Sequence, residues 1–363
     1  MSAQPGILSM GAAETSAAAA VRSSRHERDM ASNVLGIVME QQRLAVGAYC
    51  VSRPCDGCMA VHRGSVMGFV SRGVPVEFVL PAFPAKSPNR LKVLGAMPDM
   101  AERLSLEFLG AVCDRVGRVY RPGARIIICS DGRVFSDLVG ISDLDVTRYQ
   151  AELRAMIDGI SPVVLGLFNL DDQYPGYTHP TMRRVLMRRY GDDLEALQRQ
   201  IRAGGEQLAL YRGITRFLVE DGDTPDYRGS RAALQRACRE RAYRVIQRSQ
   251  AWGKLVAQRF PDAVRLSIHP QRCGSAKLGI HLVATPDNWL TPWHGTAVDV
   301  GGRFLLMKRY EAEALGAELV HAGGRPSHYT MKGRNACLAR PRPLSVFAQP
   351  RHPRAGTRPG QRR

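Results

Sequence analysis

The chain lacks the features that would name a chemistry at once. No apolar run approaches the ~20 residues that a membrane span needs. The N-terminus has no basic stretch followed by an apolar one, so no secretory signal is expected and a cytoplasmic location is. There is no GxxxxGK[ST] loop, no GxGxxG after a strand, no GxSxG elbow and no HxD pair with a third ligand. Nucleotide hydrolysis, dinucleotide redox chemistry, serine hydrolysis and non-haem iron catalysis therefore have no sequence support. No internal repeat is present.

Acid is missing from one place in particular. Arg340–Arg363 holds seven arginines and no acid, and removing those seven charges takes the formal net charge from +18 to +11. This Pro-, Arg- and Gly-rich segment, 340–363, reads as a disordered tail. Inside the body, arginines alternate with acids on helix faces, as solvated surfaces do. Charge alone then supports a nucleic-acid binder weakly, and neither nucleic acid nor a membrane is expected as a partner. A basic body suits an anionic small substrate instead.

A second CxxC pair is also missing. The eight cysteines are scattered, and Cys55–Cys58 is the single CxxC. A structural zinc site usually needs a matching pair. Cys50 and His62 could complete four ligands, but free thiols on a loop are the favoured reading and no metal is expected. Cys113, Cys129 and Cys238 lie in apolar patterns and read as buried small hydrophobes.

What is present is an ordinary globular composition: 363 residues, 44% hydrophobic and 23% charged, enough for a sizeable core. Residues 1–31, rich in Ala and Ser, read as a disordered leader, and 32–339 as the folded catalytic region. Val76–Leu80 is a compact apolar strand. It runs into a loop stiffened by Pro81, Pro84 and Pro88 that carries Phe83, Lys86, Ser87, Asn89 and Arg90, a suitable place to hold an anion. Asp99 caps a helix with Met100, Leu104, Phe108 and Val112 one turn apart. Arg125–Cys129 is the clearest buried strand and ends in Ser130-Asp131-Gly132. Arg212 and Arg216 share a helix face and could clamp an anion. A long helix over Gly229–Phe260 precedes the alternating strand Val264–Ile268, which His269-Pro270 ends. A second alternating run, Leu278–Leu282, follows Lys277, and Thr291–His294 closes the stretch. Loops or turns are expected over 50–64 and 136–141, and one charged helix over 181–202. A further strand is expected over 303–308 and a helix over 311–319.

Strands alternating with helices imply an α/β sheet domain with additional helical elements. In such sheets ligands sit beyond the carboxyl ends of the strands. Ser130 and Asp131 lie just past a strand's end, and His269, Lys277 and His294 at strand ends or on strand faces, although each taken singly also fits a plain turn or a satisfied core group.

Several long stretches resemble one family. They are LPAFPAKSPNRLKVLG with PDMAE, RPGARIIICSDGRVFSDLVGISD, YRGITRFLVED, RSQAWGKLV, RLSIHPQ, GSAKLGIHL and TPWH, in order between about Val76 and Met307. Together they are similar to the isocyanide (isonitrile) synthases of the pyoverdine/dityrosine biosynthesis family. The resemblance implies a Rossmann-like α/β fold and conversion of an amino acid's α-amine, typically of tyrosine or tryptophan, to an isocyanide. It implies that the carbon comes from ribulose 5-phosphate, with no metal or nucleotide cofactor required. It also implies a downstream iron(II)/2-oxoglutarate oxygenase in the pathway. On this reading Asp131, His269 and His294, with Ser130 beside them, are the proton-transfer candidates. Lys86, Arg90 and Lys277 bind anions, and Arg212 and Arg216 take the phosphate or carboxylate. Phe83 and Trp293 line an aromatic pocket. The competing readings are an enzyme making an N-formyl or imine product, and a basic nucleic-acid-binding protein. The leader, the CxxC region and the tail fall outside the resemblance.

Overall fold

The computed structural model describes residues 10–45, 50, 55–285 and 290–331; the segment 340–363 read as a tail lies outside them. In chain order the helices are α1 (Met10–Met39), α2 (Asp56–Arg72), α3 (Met100–Val119), α4 (Gly132–Val139), α5 (Asp143–Ile160), α6 (Leu170–Gln173), α7 (His179–Tyr190), α8 (Leu194–Arg202), α9 (Gly205–Gly222), α10 (Arg231–Arg259) and α11 (Arg309–Ala314). The strands are β1 (Val76–Pro81), β2 (Ala124–Cys129), β3 (Leu165–Phe168), β4 (Val264–Ser267), β5 (Leu278–Gly279), β6 (Thr296–Val300), β7 (Phe304–Met307), β8 (Glu318–Ala322) and β9 (Arg325–Met331).

The first five strands form one parallel sheet in the order β3-β2-β1-β4-β5. Strand residues alternate between two apolar layers, as a sheet buried on both faces requires. Phe78, Leu80, Ile126, Ile128, Val264 and Leu266 pack with α1, α2, α3 and α5, whereas Val79, Ile127 and Cys129 pack with Trp252, Leu255 and Val256 of α10 and with α7. The order reverses direction between β1 and β4. This is the doubly wound arrangement, and its reversal point is where ligands bind in such sheets. Helix α3 starts as its sequence demands: Asp99 accepts from Ala101 N, and Glu102 closes a capping box.

Several elements differ from expectation. Helix α1 begins at Met10, inside the segment read as a disordered leader; the Ala-rich run is a strong helix former and continues into the apolar stripe Ala31, Val34, Leu35 and Val38. The CxxC segment opens α2 rather than lying in a loop, and Ser136 lies in α4 rather than a turn. The helix expected over 181–202 is two helices broken around Gly191, where an added Cβ would meet the Met187 carbonyl oxygen at 2.5 Å. The alternating run after Lys277 is a strand only over Leu278–Gly279, where β5 pairs parallel to β4. A second sheet, ordered β7-β6-β9-β8, was not foreseen; β8 is largely exposed and β9 is polar along most of its length, so their apolar pattern is weak. Among the described residues no helix is long and apolar enough to cross a membrane.

Candidate active site at the carboxyl edge of the parallel sheet

The loop leaving β1 is fixed from several directions. Phe83 has φ 57, a left-handed backbone on a fully buried non-glycine residue, and its carbonyl accepts from Ser130 Oγ at 2.8 Å. Strain of this kind persists only where the surroundings over-determine it. Here they do: Ser87 N donates to Trp293 O at 2.8 Å, and Asn89 Nδ2 donates to Glu220 O of α9 at 2.7 Å. Residues 83–92, 291–294 and the end of α9 thus form one interlocked rim at the reversal point.

Asp221 is the hub of that rim. Its Oδ1 accepts from Ser87 Oγ at 2.8 Å and from Lys92 Nζ, while Oδ2 stands 3.7 Å from His294 Nε2. Burial raises the Asp221 carboxyl above its ordinary value, opposed by Lys92 and Ser87. Thr291 Oγ1 lies 2.9 Å from His294 Nδ1. A carboxylate can only accept, so this pairing favours the proton on Nε2 with Thr291 donating to Nδ1. The ring also packs on Phe217, with centroids 4.7 Å apart. Burial, then Lys92, Lys86, His269 and Lys308, hold His294 well below its usual value, so it is neutral at physiological pH.

His269 follows β4 and is exposed. The protein crowded around it, then Arg43 and Lys277, hold its imidazole down to about 4. Asp131 follows β2 and precedes α4 without capping it. Its Oδ1 is buried with no hydrogen-bond partner, and burial pushes the carboxyl up to about 7. Gly132 explains how the chain gets there: a Cβ at that position would lie 1.7 Å from the Pro84 carbonyl oxygen, so only glycine lets the β2 end pass under the β1 loop. With β1 between them, β2 and β4 are separated by roughly 10 Å. Asp131 and the histidine side therefore flank a span wide enough for a small substrate.

The predicted residues divide. Asp131, His269 and His294 lie on or beside this edge; Lys277 precedes β5, at the amino end of that strand, where it is exposed and still bears on His269. Lys86 is corrected: it is fully buried, with Nζ 2.9 Å from Asp99, 2.8 Å from Glu102 and 3.0 Å from Pro292 O. Enclosed by two carboxylates and a carbonyl, the ammonium has no side open to a substrate anion. It acts instead on its surroundings, and Glu102, pushed up to about 8 by burial, completes that buried network with Tyr149. Ser130 is corrected in the same way, because its hydroxyl donates to Phe83 O and accepts from Gln150. Phe83 and Trp293 pack on each other in a tilted pair, with centroids 5.3 Å apart, and are buried, so they brace the rim rather than wall an open pocket. Arg90, Arg212 and Arg216 are exposed, the last two on the outer face of α9. The face of α9 turned to the rim carries Phe217 and Asp221 instead. Sequence reasoning missed Lys92, Asp221 and Lys308. An acid one residue past an apolar helical run, Leu218-Val219-Glu220-Asp221, was the available signal.

A cavity of about 300 Å³, lined by Arg133, Gln150, Asn169, Asp171 and His179, lies beyond the end of β3. It reaches the rim through Gln150. A larger one of about 410 Å³, lined by Glu77, Arg125 and Phe260, touches none of the predicted site residues.

The family described as "Pyoverdine/dityrosine biosynthesis protein" matches residues 66–320. The chain belongs to this family. It is 54% identical over 275 residues to the L-tyrosine isonitrile synthase of Pseudomonas aeruginosa, covering 75% of this chain and 84% of that one. It is 46% identical over 280 residues to the L-tryptophan isonitrile synthase AmbI2 of Fischerella ambigua, covering 77% and 85%. Among solved structures, the PvcA protein from Pseudomonas aeruginosa matches with TM-score 0.78 at 49% identity, over 83% of this chain and 99% of that one. Family membership covers every rim element, from the β1 loop to β7. Cys50, Cys55 and Cys58 precede the matched region.

Proposed function

We propose that this protein is an isocyanide synthase that converts the α-amine of tyrosine or tryptophan to an isocyanide, with the carbon taken from ribulose 5-phosphate. The observation that carries the reading is the rim itself. His269 and His294, near enough to act on each other's charge, are both held neutral beside Lys277, Lys92 and Lys308, and a carboxyl poised near 7 stands at the end of β2. An amine that condenses with a ketone and loses water needs a proton acceptor and a donor near neutral pH. A neutral imidazole accepts, and Asp131 can do either. Lys92, Lys308 and Lys277 supply positive field for a sugar phosphate and an amino-acid carboxylate. Identity to both a tyrosine and a tryptophan enzyme supports an aromatic amino acid.

The reaction on this reading uses no metal or nucleotide cofactor. It takes place in the cytoplasm as a step of secondary metabolism, and the product passes to an iron(II)/2-oxoglutarate oxygenase. The purified chain should be incubated with ribulose 5-phosphate and tyrosine, tryptophan or the remaining amino acids, with the product read by mass and by isocyanide trapping. An isocyanide from one aromatic amino acid is the expected result. A formamide or a stable imine, or no product from folded protein, would overturn the proposal.

A further inference from the structure

Four cysteines far apart in sequence meet in space. Cys50 precedes α2, Cys55 is its N-cap residue, Cys58 lies in its first turn, and Cys273 comes from the connection between β4 and β5. Their sulfur atoms all lie within 4.8 Å of one another. Individual separations are 3.4 Å for Cys55–Cys273, 3.7 Å for Cys58–Cys273 and 3.9 Å for Cys50–Cys58. A disulfide needs ~2.05 Å, so none of these pairs is bonded. Four thiolates at ~2.3 Å from a tetrahedral zinc ion stand about 3.8 Å apart. The observed spacing is that of such a shell.

The surroundings fit charged sulfur. Gly274 N donates to Cys58 Sγ at 3.3 Å and Gln42 Nε2 donates to the same atom at 3.5 Å. Gly274 has φ 73, which turns its N–H back onto the sulfur just after Cys273. His62, the fourth ligand the sequence suggested, is otherwise engaged: its Nε2 is 3.1 Å from Ser275 O. Cys273 takes that place, from a position 215 residues after Cys58.

We propose that Cys50, Cys55, Cys58 and Cys273 bind a single zinc ion as a closed, structural tetrathiolate site. All-sulfur ligation selects a soft or borderline cation, and four protein ligands leave no open position for catalysis. The site's work is mechanical. The connection from β4 to β5 carries His269 and Lys277; Arg43 and Ala45 tie it at Ile268 and Gln271, whereas the turn at 272–277 meets α2 through His62 and this sulfur cluster. The ion fastens this turn to α2. Zinc loss therefore frees it while the sheet persists.

The test reads metal on the full chain and does not depend on turnover, so it stands apart from the isocyanide assay. Protein purified without chelator should contain one zinc per chain by elemental analysis. After zinc removal under reducing conditions, the same chain titrated with Co²⁺ should show thiolate-to-cobalt charge transfer and the visible bands of a tetrahedral ion, saturating at one equivalent. Cys273→Ser should lose zinc, keep its far-ultraviolet circular dichroism and exchange amide hydrogens faster over 272–277. If that variant fails to fold, the cobalt titration of the unaltered chain decides. Absence of zinc with no cobalt spectrum, a disulfide among these cysteines in non-reducing peptide maps, or an iron–sulfide chromophore would each overturn the proposal.

Discussion

Lys92 and His294 share one carboxylate: Lys92 Nζ donates to Oδ1 of Asp221, and His294 Nε2 faces Oδ2 at 3.7 Å. The lysine side chain is 5% exposed and the aspartate's 4%, so the pair is shielded from water. Asp221→Asn leaves the buried Lys92 with only the half-exposed Glu220 carboxylate at 3.8 Å, a change that costs about 2–3 kcal/mol. It also removes the acceptor facing His294, and turnover should fall on the order of 100-fold. The double variant Lys92→Met/Asp221→Asn should regain most of the stability and none of the turnover. Thermal melts and kcat of the three proteins check this, and recovery of activity in the double variant would remove Asp221 from the machinery.

Asp131 gives a pH signature. Its folded carboxyl sits at about 7, above the ~4 of an unfolded chain. The native state therefore holds this proton longer, so ionising it counts against folding: stability falls as pH rises from ~4 towards 7 and is flat above. The full effect is on the order of 4 kcal/mol. Asp131→Asn should then melt higher than the parent at pH 8 and alike at pH 4. If ionised Asp131 is the base, turnover rises with pH through about 7 and this limb vanishes in the variant. His269, held down to about 4, contributes no limb in the same range. A limb near 7 that survives in Asp131→Asn would assign it elsewhere.

Arg212 and Arg216 looked like an anion clamp, yet both project from the outer face of α9. Arg212→Gln/Arg216→Gln should leave the KM for the sugar phosphate within about two-fold, whereas Lys308→Met should raise it by roughly ten-fold, the ~1.4 kcal/mol of one charge-assisted contact. Steady-state kinetics with ribulose 5-phosphate varied distinguishes them.

Gly132→Ala is the smallest substitution with a large expected effect. The added methyl overlaps the Pro84 carbonyl oxygen, so the β1 loop and Asp131 must part. A loss of at least ~2 kcal/mol and most of the turnover is expected. An unchanged melt would show that the two segments do not pass so closely.

The sheet was legible where residues alone decide. VEFVL and RIIIC are too apolar for anything but buried strands, and proline or Asp-Gly ends them abruptly. Asp131 and His269 were legible for the same reason, since strand ends are where chemistry collects. Lys86 was misread because sequence shows a charge but not its partners; Asp99 and Glu102 reach it only once α3 packs beneath the loop. Asp221 was passed over because sequence does not show that the end of α9 turns this carboxylate towards Ser87, Lys92 and His294. Cys273 could not be joined to the CxxC, because nothing local links residues so remote along the chain. The second sheet stayed hidden behind weak alternation in strands such as ELVHA.

The segment after α1 pairs with the far end of the parallel sheet. Arg43 N donates to Gly279 O, Arg43 Nη1 donates to Ile268 O, and a Cβ on Gly279 would lie 2.2 Å from Arg43 O. This has a consequence during biosynthesis. Residue 43 leaves the ribosome long before residue 279, and at 5–20 residues per second the delay is roughly 10–50 seconds. Through that interval neither Ile268 nor Gly279, which Arg43 meets in the folded chain, has been made, and the β5 edge does not exist. The nascent chain must carry its own beginning unfinished until its last third is made.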